Sequence, residues 1–60
     1  MNIYEYVLVT KRDEDGNFEF INEGKVQLIA AENVEEAKLS ITFTDYIDPE
    51  EVDIIVHPFC

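Results

Sequence analysis

The stretch Lys25–Phe43, KVQLIAAENVEEAKLSITF, decides the fold, because it passes from strand chemistry to helix chemistry within a few residues. Lys25–Ala31 reads as a strand, with Val26, Leu28 and Ala30 on one face. Glu32 and Asn33 end it. Asn33 is the expected N-cap, and Glu36 three residues on completes a capping box. Glu32, Glu35 and Glu36 then lie at the positive end of the helix dipole. Val34, Ala37 and Ile41 recur at helical spacing and are expected to pack on a sheet. The segment Ser40–Thr44 is contested. Ile41, Thr42, Phe43 and Thr44 are poor helix formers, and Ser40, Thr42 and Thr44 alternate with apolar residues as in a strand. The balance favours a helix over Val34–Phe43.

Upstream, Ile3–Thr10 is a strand with Tyr4, Tyr6 and Leu8 on one face and Ile3, Val7 and Val9 on the other. Both faces are apolar except at Glu5, which fits a central strand or an edge that a partner covers. Lys11–Asn17 is a turn, with Asp15-Gly16 able to supply positive φ. Phe18–Asn22 is expected to return as a second strand, followed by a tight turn at Asn22–Gly24. Downstream, Thr44–Glu51 is a loop stopped by Asp48-Pro49. Val52–His57 is the last strand, with Val52, Ile54 and Val56 inward and Asp53, Ile55 and His57 opposite. The expected architecture is α+β over residues 1–60. It is a single domain with a small antiparallel or mixed sheet of about four strands, one helix on one face, and order β-β-β-α-β.

Composition narrows the function. Fourteen acids against four bases give a formal net charge of −10, yet 47% of residues are hydrophobic. That is a folded acidic domain rather than a disordered tail. Direct nucleic-acid binding is disfavoured, because phosphate contacts need cations, and Lys11, Arg12, Lys25 and Lys38 form no stripe. No run approaches the roughly 18 apolar residues of a membrane helix. With one cysteine, Cys60, no internal disulfide can form. A reduced thiol is expected there, with an intermolecular disulfide as the alternative. The opening MNIYEYVLV carries no positive leader, so the expected location is the cytoplasm.

Catalytic motifs are sparse. His57 and Cys60 stand three residues apart, but a Cys–His pair needs a shared pocket and a third, orienting group. The run Asp13–Asn17 offers carboxylates at alternate positions, as a calcium loop does. Its glycine comes two residues too early, however, and the twelfth position is Gly24 rather than a bidentate Glu. The expectation is no enzyme, no cofactor and no metal.

What the chain offers is acidic surface. Glu32, Glu35, Glu36, Asp45, Asp48, Glu50, Glu51 and Asp53 make up eight of the fourteen acids, with only Lys38 of opposite sign among them. If the last loop runs back along the helix, they merge into one acidic face. Arrayed carboxylates of this kind can imitate phosphates, which in duplex DNA come at one charge per roughly 1.7 Å of axis; the alternative is a solvated face that serves only solubility.

Val26–Pro58 also resembles the small inhibitor of bacterial RNA polymerase made by T-odd lytic phages. The matching pieces are Glu32, Glu36-Ala37, Tyr46, Pro49, Val52 and Val56-His57-Pro58, over just over half of the chain. The resemblance implies a sheet-and-helix protein that blocks the polymerase through charged strips. The family's last strand carries two arginines flanking a valine. Here those positions are Ile55 and His57, so the general type carries over better than the target.

The expected function is therefore a phage-type inhibitor that occludes a basic surface on a host nucleic-acid-handling or defence protein. The expected contacts are the eight acids above together with His57. The alternative is a homo-oligomerising module that assembles through the first strand, since an uncovered apolar strand recruits a partner.

Overall fold

β1 (Asn2–Thr10) is the middle strand of a three-stranded antiparallel sheet, flanked by β2 (Gln27–Ala31) and β3 (Val52–Pro58). Asn2–Tyr6 pairs with β2, and Tyr4–Thr10 pairs with β3. Tyr4, Tyr6 and Leu8 are buried on the helix side of β1, while its other face runs from Ile3, 47% exposed, to Val9, 2% exposed, which suits its Val-, Ile- and Tyr-rich sequence. Both of its edges are taken up within the chain, so it has no free edge with which to pair with its own copy. The computed structural model describes residues 1–59. Cys60, with its expected thiol chemistry, lies outside the described residues.

The expected second strand, Phe18–Asn22, does not form as a separate element. One bridge, Phe20 to Val9, continues the β2 side of the sheet. Thr10 donates its backbone N–H to Glu19 at 2.9 Å, and Ile21 donates to Leu8 at 2.8 Å. From Phe20 to Gln27 is seven steps along one side of the ladder, against three from Val9 to Tyr6 on the other. The excess loops out as a short 3-10 turn, Asn22–Gly24, in which Asn22, Glu23 and Gly24 all have positive φ. The expected turn is present, but it bulges one edge strand instead of separating two. The order is therefore β-β-α-β among the described residues, and the α+β class stands.

α1 (Val34–Thr44) crosses one face of the sheet. The Asn33 side chain accepts from the Glu36 N–H at 2.8 Å, as the capping box requires. The return bond is shifted by one residue, since Glu36 Oε2 accepts from the N–H of Glu32 at 3.2 Å. Ser40–Thr44 is helical because Ala37 and Ile41, four residues apart, are both fully buried on Tyr4, Tyr6 and Leu8. Thr42 eases the β-branched run by donating its hydroxyl to the Lys38 carbonyl at 2.8 Å. Val34 departs from expectation, since it is 36% exposed at the rim of the core. Ile29, Ile54 and Val56 complete the layer between helix and sheet. On β2 this inward set includes Ile29 and Ala31, while Leu28 and Ala30 face away from the helix.

Candidate partner-binding surface

The helix ends through a Schellman motif without a glycine. Asp45 is the C-cap and donates its N–H to Ile41 at 2.9 Å, while Ile47 donates to Thr42 at 3.1 Å. The residue between them, Tyr46, occupies the left-handed position with φ 53°. Gly normally fills that place, and a side chain there costs roughly 1–2 kcal/mol. The strained side chain packs on nothing, being 94% exposed. Leu39 and Phe43, four residues apart on the helix, are 61% and 78% exposed. Three large apolar side chains thus stand in solvent along one side of α1 and just past its end.

Carboxylates frame them. Glu32, Glu35 and Glu36 lie at the N-terminal end of α1, and Asp45, Asp48, Glu50 and Glu51 beyond its C-terminal end. An eleven-residue helix is about 16 Å long. The two clusters therefore sit at opposite ends of a bar and do not merge into one patch. Asp53 and His57 belong elsewhere, because their register partners Val9 and Glu5 put them on the sheet face that the helix does not cover. His57 Nδ1 lies 3.2 Å from Glu5 Oε1, and Lys11 Nζ lies 4.0 Å from Asp53. Those are the only basic side chains within 4 Å of a carboxylate among the described residues. The other twelve acids have none.

Four of the expected contact residues, Glu36, Asp45, Asp48 and Asp53, accept hydrogen bonds within the fold through their side chains. Glu36 belongs to the helix cap. Asp48 organises the last loop, accepting from the Glu50 N–H at 2.9 Å through its side chain and from Glu51 and Val52 through its carbonyl. Asp13 does the same in the hairpin loop, where its Oδ1 accepts from Asp15 and Asn17, both at 2.9 Å. The carboxylate that suggested calcium is thus turned on the loop's own amides, and among the described residues no three of His, Cys, Asp and Glu cluster as a metal site.

Beside Tyr46, an open cleft of ≈ 530 Å³ runs between the end of α1, the last loop and the Asn22–Gly24 turn, with Asp45, Asp48 and Glu51 on its wall. Tyr6 supports two of its lining residues from the core, its hydroxyl 3.2 Å from Asp45 Oδ2 and 3.2 Å from Gln27 Oε1. Burial first, and then the charge and hydrogen bond of Asp45, hold the Tyr6 phenol above its ordinary 10.0. The cleft combines carboxylates with an apolar floor of Leu8, Ile21 and Val52, which suits the stem and head of a Lys or Arg side chain.

No family model, no curated protein and no solved structure matches the chain. No helix among the described residues is long and apolar enough to cross a membrane.

Sequence reasoning identified the acids but missed Leu39, Phe43 and Tyr46. Nothing in the local pattern separates an exposed apolar helix residue from a buried one. A signal did exist at Tyr46, because no Gly or Asn follows the helix to take its left-handed terminus.

Proposed function

We propose that this protein is a non-enzymatic, phage-type inhibitor that docks the outer side of α1 and its flanking loops onto a basic surface of a host nucleic-acid-handling or defence protein. The observation that carries this reading is Tyr46, a fully displayed aromatic held in a conformation a glycine would adopt without strain. Backbone strain with no packing return marks positions kept for function. Leu39, Phe43 and Tyr46 supply the apolar anchors, and aromatic anchors dominate binding energy at interfaces. Glu35, Glu50 and Glu51 supply the rim, steering the approach and standing where nucleic-acid phosphates would otherwise bind. Inhibition follows from occlusion of the basic site.

The resemblance of Val26–Pro58 to the phage polymerase inhibitor supports RNA polymerase as the first target to try. The two positions that are arginine in that family, Ile55 and His57, lie on the far face of the sheet. Contact through α1 would leave them free.

The test is binding of the purified protein to bacterial RNA polymerase and to other basic nucleic-acid enzymes, followed by stopped-flow kinetics across a salt series. The expected result is association that slows steeply with salt, and slows further in Glu50→Lys/Glu51→Lys. Tyr46→Gly should weaken affinity by about 30-fold, corresponding to roughly 2 kcal/mol at a hot spot. Binding that is indifferent both to salt and to Tyr46→Gly would sink the proposal.

A further inference from the structure

The face of the sheet away from α1 is not covered by the helix. By register it carries Ile3, Val7 and Val9 from β1, Leu28 and Ala30 from β2, and Ile55 from β3. Val9 is buried and Val7 and Ile55 are half-buried, so the open part of the face is the Ile3, Leu28 and Ala30 end. Ile3 is 47% and Leu28 57% exposed.

Charge singles out the occupant. Of the fourteen acids only Glu5 and Asp53 belong to this face by register, and both have a basic side chain within 4 Å, His57 and Lys11. The rest lie in the turns, on the helix or on the outward parity of the helix side. Two chains of net charge −10 that meet on this face therefore bring few of their carboxylates together. The pair at its centre is also self-complementary. His57 Nδ1 lies 3.2 Å from Glu5 Oε1 and 3.3 Å from the Pro58 carbonyl, two acceptors to which it donates. In the imidazolium form Nε2 carries a hydrogen as well, and no hydrogen bond among the described residues uses it. A two-fold axis between β1 and β3, parallel to the strands, sets Glu5 of one chain over His57 of the other and repeats the contact by symmetry.

We propose that the protein forms a symmetric homodimer by packing these open sheet faces together, leaving α1 and its acidic ends outward on both sides. Sheets stacked in this way lie about 10 Å apart and interdigitate their inner side chains. The proposal does not rest on the inhibitor reading, and its salt dependence has the opposite sign. Screening relieves the repulsion between two −10 chains, so added salt strengthens the dimer, whereas it weakens docking on a basic partner.

Sedimentation equilibrium on the full chain, diluted from the millimolar range at about 0.01 M and about 1 M salt, tests it. The expected result is a mass rising from 7.0 kDa toward twice that, 14.0 kDa, with a dimer at least tenfold tighter at high salt. Leu28→Glu should remain monomeric, Phe43→Ser should dimerise like wild type, and His57→Glu should weaken the dimer at least tenfold. The exchange Glu5→His/His57→Glu should restore it. Circular dichroism confirms that each variant is folded, and amide shifts of the wild type on dilution map the contact without any substitution. Shifts concentrated at Ile3, Val7, Leu28 and Ile55 support the proposal. It is overturned by a 7.0 kDa mass at every salt and concentration, by a folded Leu28→Glu that dimerises normally, or by dilution shifts confined to Leu39–Tyr46.

Discussion

At the scale of single residues, two tyrosines have opposite relations to the fold. Tyr46 is strained and unpacked, so Tyr46→Gly is expected to stabilise the protein by about 1 kcal/mol in urea denaturation while weakening partner binding. A loss of stability in that variant would mean the side chain packs after all. Tyr6 is 6% exposed and tied to Asp45. Its folded phenol titrates above 10.0, so the unfolded chain gives up this proton first. The stabilisation is therefore complete below about pH 10 and is lost as pH rises through the folded value. Tyr6→Phe should cost about 1 kcal/mol near neutrality, and the gap between it and wild type should close in alkaline denaturation curves. Asp45 meanwhile puts a negative charge at the negative end of α1. Asp45→Asn, which keeps an acceptor for Tyr6, is expected to raise stability by about 0.5 kcal/mol.

At the scale of the element, α1 depends on its cap and on two buried side chains. Asn33→Ala removes the acceptor for the Glu36 N–H and should cost about 1 kcal/mol. Ile41→Ala empties a fully buried site between Tyr6 and Leu8 and should cost about 3 kcal/mol, enough to leave a 60-residue domain largely unfolded at room temperature. Chemical denaturation followed by helical circular dichroism measures both. The cap was legible because its signature is local, Asn33 followed by Glu36. Whether Ser40–Thr44 joined the helix was not, because propensity points one way and the burial of Ile41 the other. The extra strand expected at Phe18–Asn22 failed for a related reason. Its aromatic alternation is real, and Phe20 does bridge Val9, but three consecutive positive-φ residues at Asn22–Gly24 put the edge out of register before a ladder is established.

At the scale of the whole molecule, charge and shape act together. The longest dimension is 36 Å, close to the roughly 30 Å screening length at about 0.01 M salt, so nearly all of the unpaired carboxylates repel one another under those conditions. Melting temperature is therefore expected to rise with sodium chloride, most of the gain coming as the screening length shrinks below about 10 Å. A flat calorimetric response would show that the unfolded chain feels the same repulsion. The expected merger of the helix-start and last-loop acids did not occur. α1 separates the two groups by its length, and β3 carries Asp53 and His57 to the other side of the sheet.

The α+β class, the strand parities, the helix cap and the acidic character were all set by the sequence itself. Each depends on residue type, on a period of two or near four, or on a sum of charges, and none needs to know what lies across the fold. Only the tertiary structure decided that β1 is central, that the acids divide between two ends and two faces, that Tyr46 ends the helix in a left-handed turn, and that the helix leaves one sheet face uncovered at Ile3 and Leu28. Those features depend on which segments pair and which side the single helix covers. They arise from contacts between residues distant in sequence, where neither local propensity nor hydrophobic period carries the information.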